Sequence, residues 1–407
     1  MNDFEAELIE RVASLRQQGL FRQVRRVDSP QSPRVEVEGR TLLNFSSNDY
    51  LGLANHPMLK EAAMKAVERY GAGAGASRLI SGSLAPHEEL DEAIAGFKGA
   101  AAALTFSSGY AASVGTICAL LGRNDIIVLD KLVHACIVDA ARLSGAKIRV
   151  FDHNDPADLE RKLRWAAERS AGGTAPAGKH PRSARTATRM EHVRKPQSLV
   201  VTESVFSMDG DQAPLREIVD LKDKYGAWLM VDEAHATGLY GVNGRGLSEE
   251  LGVSGRIEVQ MGTLGKALGS SGGYICGSGA LVEYLINRAR SFIFSTAPVP
   301  AAAASATAGV RLVQAAAGRE RRETLWRRVS EAGSNLKSAI VPIMIGDETK
   351  AVETAAALRE QGILIPAIRY PTVARSKARL RLTLTAAHTE ADIGELLEAL
   401  RRLNIAL

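Results

Sequence analysis

The sequence predicts an α/β fold: a large domain on a mostly parallel sheet with helices on both faces, followed by a smaller α+β domain. Three observations predict it. From Leu104 onward, short apolar runs alternate with amphipathic stretches. The runs at 126–129, 148–151, 199–202, 229–231, 259–261 and 274–276 are mostly too short for buried helices, and the intervals are long enough to hold helices. From about Ala297 the alternation gives way to an Ala-rich stretch, a charged stretch and three further apolar runs.

Taken in order, the chain opens with Asp3, Glu5 and Glu7 ahead of any apolar run, which is not a secretory signal. It reads as an amphipathic helix through about Arg22. Residues 35–37 and 42–45 flank Glu38-Gly39-Arg40, a short hairpin signal. A helical period covers 57–70, a Gly-Ala loop covers 71–77, and a second helix covers 86–97. The strands and helices of the sheet follow. Beyond them helices are expected over 300–317 and 319–336, strands over 340–345, 363–367 and 380–384, and a last helix over 390–403. The implied partition is an arm of helix and hairpin (1–44), a large domain (45–296) and a small C-terminal domain (297–407).

Composition bounds the function. Hydrophobic residues make up 45% and charged residues 24% of 407, ordinary for a soluble globular protein with a sizeable core. No apolar run approaches the roughly 20 residues of a membrane helix. Cys118, Cys136 and Cys276 are far apart and odd in number, which argues against a disulfide framework and a structural zinc site. No metal is expected, and a reducing cytoplasm is the simplest compartment. The net charge of +5 is local: Lys179, Arg182, Arg185, Arg189, Arg194 and Lys195, against Glu191, supply it within 172–196. That segment is rich in Gly, Pro, Thr and Ala, and reads as a flexible surface loop. It carries no interleaved aromatic residue for stacking, so no nucleic acid is expected as a partner.

Two stretches carry the chemistry. Leu229-Met230-Val231-Asp232-Glu233-Ala234-His235 delivers an acid and a histidine after an apolar run. Met261-Gly262-Thr263-Leu264-Gly265-Lys266 delivers one lysine on a Gly-rich turn. This order suits a pyridoxal 5′-phosphate (PLP) enzyme, in which a lysine forms a Schiff base and an acid pairs with the pyridinium nitrogen. A lysine is by default a surface residue. Lys266, however, has small, nearly uncharged neighbours that favour a depressed pKa and a nucleophilic amine. Asp232 at a strand end is otherwise an N-cap or a structural ion-pair partner. His235, three residues on, is placed to reach the cofactor's phenolic oxygen or the substrate carbonyl. Ser108, Gly109 and Tyr110 open a helix after a strand, where backbone N–H groups bind phosphate. Thr263 and the Ser295-Thr296 pair offer further hydroxyl donors. His134 follows a strand, and its flat ring is either a stacking partner for the pyridine or a satisfied structural histidine. Arg379 and Arg381 fall on one face of a strand, opposite leucines. Pattern alone leaves open whether Arg381 grips a carboxylate or faces solvent.

With these residues in place, the chain resembles the α-oxoamine synthase family of fold-type I PLP enzymes over nearly its whole length. The resemblance rests on 44–53 (Asn-Phe-Ser-Ser-Asn-Asp-Tyr-Leu-Gly-Leu), 201–211 (Val-Thr-Glu-Ser-Val-Phe-Ser-Met-Asp-Gly-Asp), the Asp232 and Lys266 stretches, 367–373 and 378–388. It implies the PLP-dependent transferase fold of type I. It implies Lys266 as the Schiff-base lysine, Asp232 on the pyridinium and His134 stacked on the ring. His235 and Ser207 would lie on the phenolic-oxygen side, with Ser108, Gly109, Tyr110 and Thr263 at the phosphate. Asn48 and Arg381 would hold the amino acid carboxylate, and Arg22 and Thr372 the acyl substrate. It implies a homodimer in which Ser295 and Thr296 reach the partner's phosphate. The implied reaction joins L-alanine to a pimeloyl thioester, on CoA or a carrier protein, with loss of CO2. The alternative within the family is glycine with acetyl-CoA. A non-catalytic or nucleic-acid-binding relative is disfavoured because Lys266, Asp232 and His235 occur together.

Overall fold

The computed structural model describes residues 2–171, 195–335 and 337–405. Among them the central sheet has seven strands. Their order is Ala102–Phe106, Gly273–Gly277, Val259–Thr263, Trp228–Asp232, Ser198–Glu203, Ile126–Asp130, Lys147–Phe151. Gly273–Gly277 runs antiparallel to both neighbours and the other pairings are parallel. Every residue of Ile126–Asp130 and Ser198–Glu203 is buried, as helices on both faces demand, which is why these runs are continuously apolar rather than alternating. The six runs expected as strands of this sheet all form, each extended by a residue or two. Register places Glu203 beside Asp232 and Asp232 beside Met261, so two acids end adjacent strands at the same edge.

The arm forms as an antiparallel hairpin, Arg34–Val37 with Arg40–Asn44. Its two-residue turn puts Glu38 and Gly39 at φ 52° and 76°, the left-handed pair that matches the twist of a hairpin. The expected strand over 363–367 is instead two pieces. Ile363–Leu364 joins the hairpin, parallel to Arg40–Asn44, while Ala367–Ile368 pairs with Ala378–Thr383. Pro366 lies between them and has no N–H to continue a ladder, so the chain changes sheets there.

Three helices also end earlier than expected. The first helix is Asp3–Gln17, not through Arg22; Gly19 turns left-handed at φ 66° just beyond it, and no residue of the helix is buried. The Ala-rich and charged helices are Pro300–Gln314 and Ala316–Glu331, with the break at Ala315, where ψ is 170°. Gly318 permits that sharp break, because a Cβ there would lie 2.4 Å from the Leu312 carbonyl oxygen. The basic segment expected as a loop lies almost wholly outside the described residues.

His153 cross-links the edge of the sheet. Its Nδ1 lies 2.9 Å from Asp130 and its Nε2 2.7 Å from Asp211. Burial opposes its charge, but hydrogen bonds to the two carboxylates outweigh burial and push it up to about 10. A raised folded-state pKa gives stability that is complete below the unfolded value, about 6.5, and is lost as pH rises through 10. The stability difference between wild type and His153→Gln, measured by urea denaturation, should therefore be flat below about pH 6 and shrink between pH 7 and 10.

Candidate active site

The strand Trp228–Asp232 ends in an acid, and the chain turns at once so that Asp232 Oδ1 accepts from the Ala234 N–H at 2.8 Å. The strand Val259–Thr263 leads into a tight turn in which the Leu264 N–H donates to Gly272 and the Ser270 N–H to Leu264. Lys266 projects from that turn. Its Nζ lies 2.9 Å from His235 Nε2, and His235 Nδ1 lies 2.5 Å from the Tyr50 hydroxyl. Burial lowers the Lys266 pKa, with Asp232 and Glu203 working against it. Burial, then the charges of Lys266, Arg381 and His134, hold His235 well below its usual value, so the ring is neutral. Burial also raises Asp232, with Lys266 opposing, and lowers His134.

Gly109, Tyr110, His134, Asp232, His235, Thr263 and Lys266 line one cavity of about 150 Å³, together with Cys136, Glu203, Ala234 and Met261. One end is the start of the helix Gly109–Leu120, capped by Ser108, whose Oγ accepts from Ala111 N–H at 3.0 Å. Gly109 is required there, because a Cβ would sit 2.7 Å from the Thr263 methyl. Thr263 Oγ1 is buried without a protein partner. A helix N-terminus and an unpaired hydroxyl form a place for an anionic oxygen group. The same cavity is lined by the buried carboxyl of Asp232 and by the His134 ring. This donor set fits PLP: an anion cradle, an aromatic wall, an acid and an amine.

Arg381 is not solvent-facing. The whole strand Ala378–Thr383 is buried, because its arginines point at 207–209: Arg379 pairs with Asp209, and Arg381 Nε donates to the Ser207 carbonyl at 2.6 Å. Arg381 Nη1 also donates to Asn48 Oδ1 at 3.0 Å, joining the two residues expected at the carboxylate. Ser207 participates through its backbone, its N–H donating to Glu203 Oε2 at 3.1 Å, and it is not among the residues lining the Lys266 cavity. Arg22 and Thr372 meet at 3.5 Å on a second cavity of about 570 Å³ that Phe21, Ile368 and Arg369 also line. Ser295 and Thr296 line neither cavity; Thr296 bridges to Ser77.

Two residues of this site carried no role in the sequence reading. Tyr50 lies inside a quoted motif but is separated from His235 by 185 residues, so spacing gave no sign of the contact. Glu203 is fully buried with Oε1 unpaired, and burial and then Asp232 raise its pKa well above the usual range. A usable signal existed, since Glu203 and Asp232 each end an apolar run. Among the described residues no group of three or more His, Cys, Asp or Glu is placed to hold a metal, and no helix is long and apolar enough to cross a membrane.

The fold and the lysine–carboxylate cavity define a class, and comparison with known proteins agrees with it. The aminotransferase class I and II family pattern matches residues 40–400. An 8-amino-7-oxononanoate synthase of Geotalea daltonii is 45% identical over 401 residues, covering 96% of each chain. The enzyme of that name from Geobacter sulfurreducens is 46% identical, covering 96% of this chain and 95% of its own. Among solved structures, a serine palmitoyltransferase from S. paucimobilis with a bound PLP–myriocin aldimine superposes with TM-score 0.85 at 29% identity, covering 99% and 100% of the two chains. The chain therefore belongs to the aminotransferase class I and II family and, within it, to the α-oxoamine synthases.

Proposed function

We propose that this chain is a PLP-dependent acyltransferase that condenses L-alanine with a pimeloyl thioester, releasing CO2 and the thiol to give 8-amino-7-oxononanoate for biotin synthesis. The observation that carries the reading is full-length identity of 40–46% to proteins of that name. The site residues support it. Gly109, Thr263 and the Ser108 cap would hold the phosphate, Asp232 the ring nitrogen and Lys266 the aldehyde carbon, with His134 against the ring face. Bound there, PLP supplies an electron sink for charge that develops at the amino acid α-carbon. Lys266 Nζ, whose pKa burial lowers against the pull of Asp232 and Glu203, is placed to take the α-proton. Neutral His235 hydrogen-bonds the Lys266 amine without adding a positive charge of its own. Arg381 and Asn48 would orient the alanine carboxylate, and Arg22 and Thr372 the acyl chain. We assign the working form as a cytoplasmic homodimer in which Ser295 and Thr296 of one protomer complete the partner's phosphate site, since in their own chain they stand clear of the cavity.

The test is thiol release from pimeloyl-CoA and acetyl-CoA with alanine and with glycine. Alanine with pimeloyl-CoA should give the highest kcat/KM. One methyl group is worth about 1–3 kcal/mol in such a pocket, so glycine should be slower by roughly 10- to 200-fold rather than inert. Preference for glycine with acetyl-CoA would assign the other family reaction.

A further inference from the structure

We propose that Tyr50 is a positioning residue: its hydroxyl fixes the proton of His235 on Nε2, and that N–H holds the Lys266 amine in its neutral form. The proposal rests on the reading above, in which Lys266 is the reacting amine.

The geometry carries it. His235 is held between two polar atoms, the Tyr50 hydroxyl at 2.5 Å from Nδ1 and Lys266 Nζ at 2.9 Å from Nε2. A neutral imidazole has one N–H and one acceptor nitrogen. With the proton on Nδ1, the tyrosine oxygen must accept, and its own hydrogen needs another acceptor. The acceptor at hand is Asn48 Oδ1, at a long 3.3 Å and already receiving Arg381 at 3.0 Å. With the proton on Nε2, the tyrosine donates to Nδ1 along the shorter contact, and Nε2–H points at the lone pair of Lys266. The Tyr50–His235 contact, at 2.5 Å, is much the closer of the two contacts open to the hydroxyl hydrogen, the other being Asn48 Oδ1 at 3.3 Å. The second arrangement therefore satisfies every group, and it requires Lys266 to be an amine rather than an ammonium.

The charged surroundings leave room for such a lock to decide. Asp232 and Glu203 draw Lys266 toward the ammonium, as does the Cys136 thiol. Burial and Arg381 draw it the other way. His134 adds its own positive influence on His235. Tyr50 is fully buried, with its ring edge-on to His235 at 6.0 Å between centroids, so its hydroxyl has no freedom to turn to water.

Tyr50→Phe keeps the ring and removes only the donor. In the full-length apoenzyme, trace acetylation of Lys266 by acetic anhydride, read by peptide mass spectrometry across pH, reports the neutral fraction of the amine. The profile should move to higher pH in Tyr50→Phe, with labelling on its acid side reduced about three- to tenfold, the scale of one lost hydrogen bond. Independently of any substitution, 15N spectra of wild-type apoenzyme should show His235 protonated on Nε2, its signals assigned by their loss in His235→Gln. A proton on Nδ1 in wild type, or superimposable labelling profiles for wild type and Tyr50→Phe, overturns the proposal. If Tyr50→Phe does not fold, the tautomer measurement decides alone. Neither readout uses the cofactor, so failure of wild type to gain a visible band with PLP would sink the functional reading and leave this result distinct.

Discussion

Lys266→Ala should lose the visible absorption that wild type gains on adding PLP, and turnover should fall by at least about 10²- to 10⁴-fold from the missing base alone. Fold should survive, because the side chain lines a cavity and its one side-chain hydrogen bond, to His235, lies at that cavity's wall. Far-UV circular dichroism and the urea midpoint serve as controls. A band that persists in the variant would mean that another amine holds the cofactor. The assignment of Asp232 and His235 would then lose its anchor.

Breaking the Lys98–Glu233 pair should destabilise the protein by about 3–5 kcal/mol, measured as a shift of the urea transition. Both side chains are essentially inaccessible, at 1% and 0% exposure. Glu233 also accepts from the Ser248 N–H at 2.9 Å and the Ser248 hydroxyl at 3.0 Å, while the Lys98 ammonium donates to the Arg245 carbonyl. Burial alone would lower the Lys98 pKa, but Glu233, with smaller contributions from Tyr274 and Cys276, raises it and holds the lysine charged. Glu233→Gln therefore strands a buried cation. The double replacement Lys98→Met with Glu233→Leu should recover part of the loss, since a buried pair exchanged for apolar groups avoids the desolvation of both charges. The visible band should survive Glu233→Gln at low temperature. Loss of the band in a fully folded variant would instead place Glu233 in the cofactor chemistry.

These two predictions mark how the sequence could and could not be read. Asp232, His235 and Lys266 were legible because each follows an apolar run, and parallel strands deliver their ends to one edge. Glu233, one residue from Asp232, went unremarked because its partner is 135 residues earlier on a helix, and ion pairs at that separation leave no periodic trace. The same holds for Arg381 and Asn48, 333 positions apart. Pattern gives the shared face of the arginines but leaves solvent exposure of Arg381 open; the fold buries it because the strand packs its polar side on 207–209. Boundaries were lost where one residue redirects the backbone: Pro366 splitting a strand, Gly318 allowing a helix break at Ala315. The tautomer of His235 lies further still from sequence, since it depends on a 2.5 Å contact that only the assembled fold creates.

The parallel pairing of Ile363–Leu364 with Arg40–Asn44 has a consequence for biosynthesis. The hairpin leaves the ribosome first, yet the segment that covers its free edge is made about 320 residues later. At about 5–20 residues per second, that edge stays open for roughly 16 to 64 s in every nascent chain. An uncovered edge is a template for pairing with other chains. Translation speed past residue 44 thus becomes a determinant of how much of this protein reaches its native state rather than aggregates.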